Sequence, residues 1–163
     1  MYPIIFFTIA VTAATTYIFV GKKEKTIANI MRVYLNFLVF FCIGIQGILA
    51  AFMHTFFANF AAAQIGWVTG SPFQFEVAMA SLGFSVVGFL AFRGSLGMRA
   101  AAVIAPAVFL LGAAGGHVWQ MVHAGNFAPG NAGSVFWTDL LVPVIGFTLL
   151  RLAARAADDT SIR

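Results

Sequence analysis

The sequence predicts an all-α integral membrane protein, a bundle of about five transmembrane helices, and three observations carry that prediction. Hydrophobic residues make up 61% of the chain and charged residues only 9%, against about 25% charged in an ordinary soluble domain. The mean hydropathy is +0.96. The apolar residues fall into long runs separated by short polar gaps, and every Lys and Arg sits in alternate gaps. So few charges cannot cover the surface of a soluble fold, whereas lipid accepts an exterior of Leu, Phe, Val and Ala.

The runs are roughly 3–20, 33–55, 72–92, 100–121 and 135–150, all within one domain spanning 1–163. Crossing ~30 Å of hydrocarbon takes ~20 residues at ~1.5 Å each, so the first and fifth runs are the short ones. Lys22, Lys23, Lys25 and Arg32 follow the first run, Arg93 and Arg99 bracket the gap after the third, and Arg151, Arg155 and Arg163 follow the fifth. Residues 1–21, 54–72 and 122–138 contain no Lys or Arg. The positive-inside rule then places 21–32, 93–99 and the tail in the cytoplasm, an N-out/C-in topology, with Arg93 and Arg99 as topology anchors. Trp67, Trp119 and Trp137 all fall at the opposite end, where an indole suits the headgroup level. Met1-Tyr2-Pro3 lacks a basic leader, so the first run is expected to stay as a helix instead of being cleaved. The net charge of +4 is explained by anionic lipid headgroups better than by nucleic acid. Cys42 is the sole cysteine, which excludes an internal disulfide and a thiolate metal cluster; it reads as a small buried hydrophobe.

Local signals refine the ends. Ser71-Pro72-Phe73-Gln74 predicts a capping box, with Ser at the N-cap, Pro at N1 and Gln at N3. Residues 56–68 stay apolar after the second span is long enough, and would extend that helix, lie in the interface or re-enter the membrane. Residues 125–133, rich in Gly, Pro and Asn, predict a defined turn. Pro106 and Pro143 lie inside spans and each removes a backbone donor. Gly112 and Gly116 form a small-xxx-small pair expected to make a close helix contact, and Gly83, Ser85 and Gly88 offer small residues on the third span. Asp158 to Arg163 are expected to form a frayed tail.

Glu76 and Asp139 are the carboxylates inside the predicted spans, and the histidines are His54, His117 and His123. Counted from the nearest arginine of the basic end, Gln46, Glu76 and His117 lie ~21, ~25 and ~27 Å deep, Asp139 ~18 Å and His54 ~33 Å. An ionisable group facing lipid costs ~2.5–3.5 kcal/mol or more, so such groups turn to the bundle interior. Glu76, His117 and Asp139, with Gln46 and His54, are therefore expected to line one pocket open to the outer side. Three chemistries suit it. One is a divalent metal held by His54, Glu76, His117 and Asp139, although the Glu-x-x-His spacing of di-iron bundles is absent. Another is a proton or ion relay, in which His117 is the switch. The last is a haem on His117 and His54, with Met53 or Met121 as alternative ligands, which no further haem signature supports. The competing reading is structural: Glu76 and Asp139 near helix starts, and His117 bonded to a neighbouring carbonyl, would act as polar glue between helices. His123 reads as a solvated loop residue.

From Gly66-Trp67 through Gly70-Ser71-Pro72-Phe73-Gln74-Phe75-Glu76-Val77, then at Gly115-Gly116-His117, Asn126 to Gly133 and Asp139, the chain resembles a family of small bacterial membrane proteins of unknown function. The resemblance spans roughly 40–150 and implies a bacterial inner-membrane location without an activity. Glu76, Gly83, Gly88 and Arg93 are more faintly similar to the third span of DoxX-like proteins, four-helix membrane proteins of which some are linked to quinone and sulfur redox chemistry. The extra N-terminal span here keeps that activity from being carried over. No motif names a reaction. The expected function is therefore a polar pocket that binds a metal ion or small ligand or relays protons. An accessory subunit or homo-oligomer docked through the Gly112/Gly116 face is the alternative, and a quinone-linked redox subunit the third reading.

Overall fold

A computed structural model describes residues 2–21 and 24–161, and side chains at 3–21 and 24–155. Lys22, Lys23 and Arg163, which contribute to the charge asymmetry, lie outside the described residues. The protein is all-α. Five helical segments are long and apolar enough to cross a membrane: Pro3–Val20, Ile27–Phe56, Phe73–Phe92, Leu96–Ala124 and Pro129–Arg155.

Helix α1 (Tyr2–Val20) is apolar all round, and its inward residues are mainly Ala10 and Ala14. It packs on the second span, where Thr15 Oγ1 and Tyr34 Oη lie 3.0 Å apart. That second span has three parts: α2 (Ile27–Leu38), a π-helical segment Val39–Ile45, and α3 (Gln46–Phe56). Thr26 opens it as the N-cap, its Oγ1 accepting from the Asn29 amide. The start lies earlier than the hydrophobic run implied, because Asn29 and Arg32 interrupt the apolar pattern in the first turns of α2. At Phe57 the backbone leaves helical geometry (φ −125°, ψ 36°). Residues 58–65 then form a separate short helix, α4 (Ala58–Ile65), so 56–68 does not extend the second span. Gly66 ends α4 in the left-handed region (φ 78°), and the Trp67 amide donates back to the Ala62 carbonyl.

Helix α5 (Phe73–Phe92) packs along α3 and the π segment. The anticipated capping box does not form. Pro72 is the N-cap, Ser71 Oγ accepts from the Phe73 amide, and the Gln74 side chain turns into the bundle. Helix α6 (Leu96–Ala124) starts at Ser95, whose Oγ accepts from the Met98 amide, and stops at left-handed Gly125. The 125–133 turn contains a single helical turn, α7 (Pro129–Ala132). Helix α8 (Ser134–Ser161) packs on α6 and α2 and continues through the segment expected to fray, as far as Ser161. Both α6 and α8 run on through Pro106 and Pro143.

The distribution of side chains is that of a lipid-soluble bundle. The buried apolar residues are mostly alanines, joined by Leu35, Leu38, Val39, Cys42, Ile43, Val103 and Val142. Phe19, Phe56, Val108 and Trp119 are among the large residues left facing outward. Where lipid replaces water there is no drive to hide large apolar groups, and small residues let helix backbones approach. Gly88 of α5 lies close against Gly44 of the π segment: a Cβ on Gly88 would lie 2.8 Å from the Gly44 nitrogen. The Gly112/Gly116 pair does not make the expected contact within the chain. Both glycines are exposed with open space around them, as is Gly83, so that stripe of α6 faces away from the other helices. Arg99, read with Arg93 as a topology anchor, is buried, and its Nε has no hydrogen-bond partner among the described residues.

Candidate functional site

The site is built at the end of the bundle opposite the arginines, where α4, α6, α7 and α8 meet. Asn126, just past the end of α6, ties them together. Its Nδ2 donates to the Ile65 carbonyl at 2.9 Å and to Gln120 Oε1 at 2.8 Å, while its Oδ1 accepts from the Ala128 amide at 3.1 Å. Gly130 fits beneath α4, where a Cβ would stand 2.7 Å from the Gln64 carbonyl oxygen. This clamp seats α7 and presents Asn131, which is fully buried, to His117 of α6.

The Asn131 amide orientation follows from its bonds. Its Nδ2 donates to the Asn126 carbonyl (2.7 Å) and the His117 carbonyl (3.3 Å), so its Oδ1 faces His117 Nδ1 at 2.6 Å. An amide oxygen can only accept, so Nδ1 carries a proton. Nε2 of the same ring lies 3.7 Å from Asp139 Oδ2, a contact that becomes an ion pair only when the imidazole is protonated. The two side chains are 6% and 9% exposed, effectively sealed from solvent and lipid. With Nδ1 fixed as a donor, Nε2 is the ring nitrogen that faces the Asp139 carboxyl and could exchange a proton with it. Phe136 packs edge-on to the ring and limits its swing.

Asp139 also forms part of the wall of a cavity of about 80 Å³ between α3, α5, α6 and α8. Gln46, Ser81 and Thr138 are polar members of its lining, and Cys42 and Gly47 lie beside them. Thr138 Oγ1 donates to the carbonyls of Ser134 and Val135, and Ser81 lies at a point where α5 closely approaches Gly47. Gln46 Oε1 is buried without a hydrogen-bond partner. A buried unpaired carbonyl oxygen costs about 1–3 kcal/mol and is uncommon in folded proteins. The rest of the lining is apolar, including Phe84, Phe109 and Leu110, and the volume has room for a few waters beside Gln46 and Asp139. Gln46 begins α3 where the π segment ends, and π turns are frequent at functional sites.

The structure redistributes the residues expected to converge. His117, Asp139 and Gln46 share the interior of this end of the bundle. Glu76 does not join them: it is exposed on α5, and the inward residue at that level is Gln74. At about 100° per residue, positions 74 and 76 face opposite ways. His54 belongs to a different contact, its Nδ1 lying 2.5 Å from Gln74 Oε1. Among the described residues no group of three or more His, Cys, Asp and Glu is placed to hold a metal ion, so the quartet His54, Glu76, His117 and Asp139 does not assemble. His54 and His117 are likewise engaged by different amide side chains, which separates the two ligands of the haem reading. His123 is exposed as expected, but on the last turn of α6, stacked on Trp119 with ring centroids 3.5 Å apart. The sequence pattern places Asn131 and Asn126 in a turn and gives them no further role. Their signal is weak, since Asn in a Gly/Pro segment ordinarily serves its own backbone.

Fold and site together define a polytopic α-helical bundle with a sealed acid–imidazole pair at one end. Within that class, the chain belongs to a family of unknown function (DUF6790), whose model matches residues 1–159. No curated protein and no solved structure matches it.

Proposed function

We propose that this protein is a multi-pass protein of the bacterial inner membrane that moves a proton, or binds a small polar ligand in exchange for one, at the Asp139–His117 pair. The observation that carries this reading is the placement of a buried carboxyl between an imidazole of fixed tautomer and a small, mostly apolar cavity that Gln46, Ser81 and Thr138 also line. An ionisable residue in a span is costly and is commonly part of an ion or proton pathway. In this reading Asp139 is the carrier and His117 its exchange partner. Asn131 holds the ring so that the mobile proton sits on the Nε2 side. Gln46 Oε1 offers an acceptor to whatever enters the cavity. The N-out/C-in topology, supported by the one-sided arginines, would put this pair near the periplasmic side.

Infrared difference spectroscopy of the purified protein across pH tests the chemistry. A carboxyl C=O band that titrates in the native chain and vanishes in Asp139→Asn is expected, and it should shift in His117→Gln. Proteoliposomes carrying a pH dye test the transport version: proton flux should fall to that of empty liposomes in Asp139→Asn. A native protein with neither a titrating Asp139 band nor flux would defeat the proposal. A second reading, the accessory subunit or homo-oligomer, is favoured by one specific observation: among the described residues nothing lies within 4 Å of a Cβ built at Gly112, Gly115 or Gly116. That reading predicts a stable larger complex in native mass spectra even when Asp139 is replaced.

A further inference from the structure

A second recess lies at the other end, and its chemistry is different. It has a volume of about 420 Å³ and sits between α1, the α1–α2 connection, α2 and the end of α5. Its floor is apolar, with Ile18, Phe37 and Phe92, and its polar lining carries Lys25, Arg32 and Arg93. Lys25 Nζ lies 5.5 Å over the Phe19 ring, a cation–π distance that leaves its remaining donors free. Among the described residues none of these three cations lies within ion-pair distance of a carboxylate, although Glu24 lines the same recess. Asn36 is also in the lining and its Oδ1 is buried without a partner.

Lys25 and Arg93 are exposed and Arg32 is half-buried, so the recess gathers positive charge where an anion arriving from outside can reach it. Arginine guanidinium groups present planar donor forks that match phosphoryl oxygens, and lysine adds a point charge. Basic pockets between transmembrane helices are recurrent phosphoryl sites. Among the described lining residues Lys25, Arg32 and Arg93 outnumber the Glu24 carboxylate, which leaves positive charge for a phosphoryl anion. The Glu24 carboxylate can accept from a hydroxyl or ammonium group carried beside that phosphoryl group. The apolar floor suits the glycerol and upper acyl region of a lipid.

We infer that this recess is a binding site for a phosphoryl anion, held by Arg32 and Arg93 with Lys25 at the rim. The site does not depend on proton exchange at Asp139. It is tested with the full chain in phosphatidylcholine nanodiscs, by adding either phosphatidylglycerol to the bilayer or inorganic phosphate to the buffer. Retained lipid is read by native mass spectrometry and phosphate by calorimetry. Arg32→Gln with Arg93→Gln should weaken binding by about tenfold or more, the scale of one charge-assisted hydrogen bond. Arg151→Gln with Arg155→Gln removes the same charge from exposed positions outside the recess and should change it by less than about twofold. Selective loss of phosphatidylglycerol identifies a lipid headgroup as the source of the anion, and selective loss of phosphate binding identifies a soluble phosphate. Equal losses in the two double variants would reduce the effect to general surface charge and overturn the site. So would an absence of binding to either probe in a native chain whose circular dichroism shows it folded.

Discussion

Asp139 illustrates how much a single residue owes to its neighbours. The sequence marks it as a carboxylate in a span, and depth alone puts it near His117. What makes the pair chemically defined is Asn131, whose amide fixes the imidazole tautomer through bonds to two carbonyls and the ring. Replacing Asn131 by Ala deletes all three and leaves His117 Nδ1 buried without an acceptor. We expect Asn131→Ala to lose on the order of 1–3 kcal/mol of stability, measured as a lower thermal midpoint by tryptophan fluorescence in detergent. An unchanged midpoint would mean the ring is held by Phe136 packing alone. Glu76 shows the opposite outcome. Its identity suggested a site residue, yet its angular position on α5 directs it away from the interior.

The reason becomes visible at the scale of the helix. Gln74, Ala78, Ser81, Ser85, Gly88 and Ala91 recur at spacings of three and four and are all buried. That stripe of small and polar residues is the packing face of α5, and it can be read from the sequence once small residues, not large ones, are taken to face inward. It predicts the side on which Glu76 cannot lie. The same logic separates the glycines. A Cβ at Gly88 would collide with backbone of the π segment, 2.8 Å from the Gly44 nitrogen and 2.9 Å from the Val39 carbonyl oxygen, whereas a Cβ at Gly83 meets nothing within 4 Å. Gly88→Leu is therefore expected to abolish a folded, monodisperse protein, since overpacking commonly costs about 1–3 kcal/mol and backbone cannot yield as side chains do. Gly83→Leu, on the open face of the same helix, should purify normally. Size-exclusion profiles of the two variants check this, and equal behaviour would contradict the packing of α5 on the π segment. The π segment itself has no sequence signal that we can identify; it follows from seating Gly44 against Phe89 and Gly88 while keeping α2 and α3 in one span.

For the whole molecule, the arrangement of charges makes a prediction independent of any site. Thr69 and Glu24 are both exposed, at opposite ends of the bundle, and Cys42 is buried. In intact cells a membrane-impermeant maleimide should label Thr69→Cys directly, and Glu24→Cys only after the membrane is opened. The reverse pattern would invert the topology. The basic end and the acid–imidazole end lie on opposite sides of this bundle, so the two inferred sites would meet different compartments and can be examined separately.

The sequence by itself determined the solvent of this protein, its helical class and the ends at which its charges gather. Those properties are sums over many residues, and hydropathy and charge asymmetry are insensitive to the placement of any one. Which polar groups meet was decided only by tertiary structure. A rotation of about 100° per residue turns neighbouring positions to different surroundings, and a buried amide from a short turn, not a span, completes the pair at His117. Depth along a helix is a one-dimensional quantity that the chain writes directly; azimuth around it is set by the helices packed alongside.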